Sequence, residues 1–567
     1  MPTGWSFGVS AFTLLRVLSR CLGAVWLIVA VVGRLEAAPE TTAQLAERVI
    51  VLANSEEPES VRLAEYYAEA RGVPAANIVA LPLSRGESMP WPEFVTTLFN
   101  PLQEWLVAHD WVDGIGMELF DEYGRRKYAM SGHRISFLVV CRGVPLKISN
   151  EAAWLQNELG QRLPAQFRRN DAALDSELTV ISASGTPVNG FIPSPLFRQE
   201  KPTTTQLEQI VRVTRLDGPS FMAAKDMVTT AIRVEQDGLI GRAYTDTSGP
   251  FAHGDRWLEA AGEEIATAGW DLQKHANGGT MAGTDRADGM ALYLGWYAGG
   301  VNGPFVLPGF RLARGAIALH IHSYSASSLR LENGGGWTGP LVARGAAATF
   351  GNVEEPYLEF THRPDILMAA LLRGARLGEA AYEALPGISW QAIALGDPLY
   401  QPFAVRLADQ VARIDELPPL LAPYVAIREM QRREGEGDMV GALEWGRAQL
   451  KRTPSLALGW AVAQRLHAAG DDPAAAVTLG FAKWVRRAPA ADWGLVKQIA
   501  TALGEWGDGP TSTLVWRTLF AYPLPTDVRK SWLEAARQSS TMAGETNAAL
   551  EWSRALIDMV PGDQAAH

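Results

Sequence analysis

Between residues 290 and 400, four short apolar runs, Ala291–Tyr297, Ala316–Ser323, Ala346–Phe350 and Gln391–Leu395, each break into Gly, Ser, Asn, Asp or Pro. Runs of that length closed by turn residues fit strands buried on both faces, which belong to mostly parallel sheets. The stretches between them are long enough for crossover helices. Pro364–Leu385 reads as one, with Ile366, Leu367, Ala370, Leu371 and Ala375 on a single stripe. The pattern therefore predicts an α/β fold, a mostly parallel sheet with flanking helices. In open sheets of this kind ligands sit beyond the carboxyl ends of the strands, so chemistry is expected in the polar residues that follow each run.

A chain of 567 residues exceeds one core, and two or three domains are expected. The formal net charge of −11 repels phosphate. Arg125, Arg126 and Lys127 make only a short basic run, so no nucleic-acid partner is expected. Arg16 and Arg20 precede the apolar run Cys21–Val32, and Leu35-Glu36-Ala37-Ala38 offers small residues for cleavage. That run is shorter than the ~20 residues that span a bilayer, which predicts a signal peptide over 1–38, with a retained anchor as the alternative. No later stretch is long enough to cross a membrane. The expected location is the periplasm or the cell surface. After signal removal Cys141 is the remaining cysteine, so the fold rests on its core without an internal disulfide.

Taken in order, Arg48–Asn54 and Asn77–Leu83 read as strands around a helix that Pro58 opens and Gly72 closes, a βαβ unit. Pro92–Leu106 reads as a second helix and Ser136–Cys141 as a third strand. An insertion at about 150–235 is rich in Gly, Pro, Arg and Asn, with Leu178–Ser182 its clear strand. Gly218–Gln236 and Asp255–Gly269 read as helices, and Leu239–Thr245 as a strand ending at Asp246. The α/β domain thus covers 45–405. Residues 415–560 lack strand-like runs, and Gly437-Asp438, Gly470-Asp471, Gly507-Asp508 and Gly544-Glu545 each precede a helical stretch. Their spacing is close to the ~34-residue period of tetratricopeptide-type helix pairs. A helical repeat-like module is expected there, and with it a protein partner.

His320 and His322, two residues apart in a strand, are expected on one face. Such a pair would take zinc if a carboxylate joined it, from Asp246, Asp255, Glu354, Glu355 or Asp397, or if His253 did. Otherwise both are hydrogen-bonded strand-end residues. Ser323 and Ser325 follow as candidate nucleophiles or turn caps. No G-x-S-x-G elbow is present, which removes the α/β-hydrolase reading. Cys141 beside Arg142 is either a thiol of lowered pKa or a small buried hydrophobe. Trp296, Tyr297, Trp337 and Trp390 are aromatic candidates for a ligand edge, and Asn352, Glu354, Glu355 and Asp397 supply polar groups at adjacent strand ends. Gly334-Gly335-Gly336 is a flexible loop without the lysine of a phosphate cradle.

The stretches LAEYYAEARGVP, GVPLKI, LYLGWY, GAIALHIHSYSASSLR, GAAATFGNVEEPYL and SWQAIALGDPLY resemble an uncharacterised exported bacterial family. That family occurs in species carrying exosortase/PEP-CTERM-type sorting and exopolysaccharide systems. The resemblance implies an envelope-associated protein and brings no activity. RGARLGEAAYEAL and AIALGDPLY are similar to the end of the gingipain/caspase-like peptidase domain. There a His-Gly follows one central strand and the nucleophilic Cys the next, positions that fall here at Trp296–Gly299 and Ser323–Ser325. Neither residue is present. The resemblance thus implies the fold with its dyad replaced. One expectation is a non-catalytic protein holding a peptide or glycan at Asp246, Trp296, Tyr297, Ser325, Asn352, Glu354 and Glu355. The other is a secreted hydrolase using His320 or His322 with Ser323 or Asp397, with or without zinc. Both place Tyr297, Ser323, Asn352 and Asp397 in one crevice.

Overall fold

The computed structural model describes residues 40–156, 158–276 and 278–559. The signal peptide expected over 1–38, with Cys21, lies outside the described residues. Of the first 45 residues the described part opens a short helix, Thr42–Ala46; everything below concerns Ala46 onward.

Ten strands form one sheet: β1 (Val49–Asn54), β2 (Ile78–Leu81), β3 (Phe137–Cys141), β4 (Val213–Leu216), β5 (Arg242–Asp246), β6 (Leu272–His275), β7 (Met290–Gly295), β8 (Ile317–His320), β9 (Ala348–Asn352) and β10 (Ala392–Leu395). Their spatial order is β6-β5-β7-β8-β9-β10-β4-β3-β1-β2. Every neighbouring pair is parallel except β9 and β10, where Thr349 faces Leu395 and Asn352 faces Ala392. The sheet is therefore two parallel halves joined head to tail, and the carboxyl ends of the two halves leave from opposite rims.

The strands are apolar on both faces because both faces are covered. Along β7 and β8, Leu292, Leu294, Ile317 and Leu319 pack with Leu258, Ile265, Leu367 and Leu371 from the helices Ala252–Thr267 and Pro364–Leu372. The alternate residues Tyr293 and Ala318 turn to the other face, against Phe305, Phe310, Trp337 and the helical tail. The expected helix over Pro364–Leu385 is two, Pro364–Leu372 and Leu377–Glu383, separated at Gly374 with φ of 95°. Leu178–Ser182, expected as a strand, is the end of a helix and a turn. Its buried apolar run fits either state at that length. β4 went unread because Arg215 interrupts its apolar pattern. That guanidinium is fully buried, held by Asp175, Asp217 at 3.2 Å and the carbonyls of Val144 (2.9 Å) and Pro145 (2.8 Å).

The tail is four helix hairpins, Ala422–Gly435 with Met439–Arg452, Leu456–Ala468 with Asp472–Leu479, Trp493–Glu505 with Gly509–Phe520, and Thr526–Met542 with Thr546–Met559. The recurring Gly-Asp pairs explain the turns. Gly437, Gly470 and Gly507 take φ of 86°, 80° and 89°, ending one helix, and Asp438, Asp471 and Asp508 cap the next by accepting a backbone N–H at 2.8, 3.1 and 3.1 Å. The tail and the sheet share one apolar cluster that runs from Tyr244 and Tyr293 to Trp516 and Trp532. Tyr424 donates to Asp288 (3.2 Å), and the Arg428 guanidinium lies 4.2 Å over the Trp270 ring. Among the described residues no helix is long and apolar enough to cross a membrane.

Candidate functional site

The carboxyl rim of the β5–β9 half gathers most of the polar residues singled out in the sequence. β8 ends at His320, which is 1% exposed. Its Nε2 accepts the Ala298 N–H (3.0 Å), so the ring proton sits on Nδ1, 2.9 Å from the Tyr293 hydroxyl. That hydroxyl donates to Asp246 Oδ2 (3.5 Å), Asp246 also accepts the Met281 N–H (2.9 Å), and its Oδ1 lies 3.0 Å from His275 Nδ1. His275 Nε2 reaches Asp285 at 3.3 Å. A continuous hydrogen-bonded chain thus runs Ala298–His320–Tyr293–Asp246–His275, with Asp285 beside its last imidazole. Burial pushes His320 well below the ordinary imidazole range, with His322 adding to the shift, so its ring is neutral. Burial raises the Asp246 carboxyl, opposed by the Met281 N–H and by His275, and raises the Tyr293 hydroxyl.

These bonds bear on the zinc expectation. Both nitrogens of His320 are occupied, and His322 has turned away, its Nδ1 2.5 Å from the Ser323 carbonyl and its ring 4.2 Å from that of Tyr297. The strand ends at His320, so the same-face geometry of two residues apart no longer applies at His322. Among the described residues no group of three His, Cys, Asp or Glu side chains is placed to hold a metal.

Ser325 is structural. Its Oγ accepts the Asn352 N–H (3.0 Å) and its carbonyl the N–H groups of Trp337 and Thr338. Asn352 in turn donates from Nδ2 to the His322 carbonyl (3.2 Å), which ties the loop after β8 to the end of β9. Ser323 is half-buried, and its hydroxyl bonds to no imidazole among the described residues. Trp296 is fully buried, bonded to Asp255 at 2.7 Å. Gly249 and Gly254 are required beside it, since a Cβ there would stand 2.3 and 1.9 Å from the indole. Trp337 and Trp390 are also buried, so of the four aromatic candidates Tyr297 alone faces outward, 40% exposed.

Asp397 does not join this rim. It follows β10, whose end lies level with the start of β9, and it is held on the opposite rim by Arg71 and by the Tyr67 hydroxyl at 3.1 Å. The common crevice expected for Tyr297, Ser323, Asn352 and Asp397 is corrected accordingly. The antiparallel joint is the reason. Cys141 is buried on the same far rim, and burial raises its thiol, which is the inert reading.

Beside the loop after β8 opens a cleft of about 640 Å³, lined by Ser88, Lys147, Arg168, Arg169, Glu354 and Tyr357 among others. Lys147 pairs with Glu354 at 2.8 Å, Arg169 is bonded to Asp171, and the Glu354 carbonyl accepts the Tyr324 N–H (2.9 Å). Glu355 faces its own chain, accepting the Tyr357 N–H. Sequence reasoning found Glu354 and missed the cleft's cations, Lys147 just ahead of the insertion and Arg168 and Arg169 within it. It also missed His275, whose strand carries Gln and Lys. The signal was there in register, since Asp246 and His275 end adjacent strands directly opposite each other. Searches against protein-family models, curated proteins and solved structures return no match to this chain.

Proposed function

We propose that this is a non-catalytic exported envelope protein of caspase/gingipain-like architecture, which binds a peptide or glycan segment at the carboxyl rim of the β5–β9 half. Its tail acts as a tetratricopeptide-like module for a protein partner, in surface or exopolysaccharide-linked sorting. One observation carries the reading: among the described residues none of the candidate nucleophiles Ser323, Ser325 and Cys141 is hydrogen-bonded to an imidazole, and His320 is spent on Tyr293 and a backbone amide. Hydrolysis by a serine or cysteine nucleophile with an imidazole base needs that contact, and zinc-assisted hydrolysis needs a metal in its place. The cleft supplies what recognition needs: fixed, paired charges around Tyr357 in a volume typical of ligand sites.

The test pairs turnover with binding. Purified protein is expected to hydrolyse nothing in a broad peptide and ester panel. On peptide and glycan arrays it should retain a defined ligand, and Arg169→Ala and Glu354→Ala should each weaken that ligand about tenfold, the size of one lost charged contact. Turnover abolished by Ser323→Ala or His322→Ala would replace this reading with the secreted hydrolase.

A further inference from the structure

The strand-end cleft carries more positive than negative charge. Lys147, Arg168 and Arg169 line it against Asp171 and Glu354. Two of the cations are paired, Lys147 with Glu354 (2.8 Å) and Arg169 with Asp171 (2.6 Å). Arg168 is exposed, donates to the carbonyls of Gln161 (3.0 Å) and Leu163 (3.2 Å), and has no carboxylate partner among the described residues. Three cations and two carboxylates leave one positive charge, a local surplus in a chain whose net charge is −11. Apart from Ile148, Ala165 and the Tyr357 ring the lining is polar, so it lacks the apolar pockets that anchor peptide side chains.

Tyr324 stands at the edge of this cleft. Its N–H donates to the Glu354 carbonyl (2.9 Å), and its hydroxyl is near enough to Arg169 to join Asp171 in raising that guanidinium's pKa. Its backbone lies in the left-handed region, with φ of 58°, which a bulky side chain disfavours, yet the residue is 44% exposed. Among the described residues its ring packs on no other aromatic ring and its hydroxyl makes no hydrogen bond. Tyr357, on the cleft wall, shares the conformation (φ 63°), but its ring rests edge-on against Phe167 at 5.5 Å, and that packing accounts for it. Tyr324 is a strained, outward ring with no such partner in its own chain. A sugar ring stacks on an aromatic face of this kind, while its hydroxyls donate to carboxylates such as Asp171 and Glu354.

Resting on the cleft's role as a ligand site, we infer that its occupant is an acidic saccharide, one sugar unit stacked on Tyr324 with its single carboxylate on Arg168. One carboxylate matches the surplus of one positive charge, whereas a run of acidic side chains would face Asp171 and Glu354. Isothermal titration of the full chain with tetrasaccharides of galacturonate, of mannuronate and of hyaluronan tests it. Cellotetraose is the neutral arm and tetraglutamate the peptide arm. At least one acidic tetrasaccharide should saturate one site, about tenfold tighter than either control. Arg168→Gln should weaken that binding about tenfold. Tyr324→Gly should weaken it as much while melting no lower than wild type, because glycine relieves the backbone at that φ. The inference is overturned if none of the three acidic tetrasaccharides binds, if either control binds as tightly, or if either variant binds at full strength. A lower melting temperature in Tyr324→Gly also overturns it, since the ring then serves the fold. Arg169→Ala and Glu354→Ala keep this inference apart from the proposed function. An array peptide that both weaken leaves the cleft a ligand site and overturns the saccharide alone, whereas a tetrasaccharide that neither weakens overturns the cleft itself.

Discussion

Trp337 lies flat on His320, with ring centroids 3.6 Å apart and planes 10° from parallel. The indole N–H donates to the Ala298 carbonyl (2.8 Å) while the Ala298 N–H donates to His320, so one residue is held through both of its backbone groups. His320 is thereby a framework residue. His320→Ala should lower the unfolding free energy by about 2–4 kcal/mol, because it opens a cavity and strips Tyr293 and Ala298 of a partner. Denaturant titration measures this. Elemental analysis should find the same zinc content in wild type and variant, and stoichiometric zinc lost in the variant would return the imidazole to a metal role.

Arg215 is the most exacting charge in the sheet. Replacing it with Met fills much of the same volume yet leaves Asp175 and Asp217 buried without their cation. The expected loss is about 3–5 kcal/mol, the cost of breaking a buried pair from one side. A double variant, Arg215→Met with Asp175→Leu, should recover part of it. No recovery in urea denaturation would show that the carbonyl bonds of Val144 and Pro145 dominate.

The seam between tail and sheet responds to pH through Asp492. Burial, reinforced by the Asp288 carboxylate and opposed by Arg286, pushes its carboxyl from the ordinary 3.8 up to about 7. A carboxyl with a raised native pKa takes up a proton on folding between those two values. Its contribution is therefore greatest below about pH 4 and falls away as pH rises toward 7. Asp492→Asn has no such dependence. Relative to wild type it should gain on the order of 4 kcal/mol between pH 4 and pH 8, read from denaturation midpoints. A difference independent of pH would place the charge elsewhere.

Removing residues 415–567 should not leave a soluble α/β domain. The deletion uncovers Tyr244, Met290, Phe305 and Phe310, which the tail's apolar cluster covers. Size-exclusion chromatography should show aggregation. A monomeric, cooperatively melting fragment would show that the sheet closes without its tail.

What the sequence disclosed follows from how each element is stabilised. β7, β8, β9 and β10 are uninterrupted apolar runs because helices cover both faces, and such runs are readable. β4 and β6 carry Arg215 and Gln273, whose charge and amide are met by contacts far away in the chain, and Lys274, which faces solvent, so no local pattern marks them. The Gly-Asp turns of the tail were readable because each is a local device, one glycine ending a helix and one aspartate starting the next. The direction of β10 was invisible. Nothing between Asn352 and Gln391 distinguishes a connection that returns antiparallel from one that crosses over, and that single undetermined fact moved Asp397 out of the expected site. His320 was found for its position, with its role left open between a metal ligand and a hydrogen-bonded strand end, since only tertiary contact with Ala298 and Tyr293 shows that its lone pair is taken.

The head-to-tail joint between β9 and β10 has a consequence for how this chain can change. Loops leaving β5, β7, β8 and β9 emerge on one side, and those leaving β1, β3, β4 and β10 on the other. Lengthening or recolouring one set leaves the hydrogen-bond register of the other untouched. A single rigid sheet thus carries two separate rims, and remodelling either is constrained where their loops meet, as at Lys147 and Glu354.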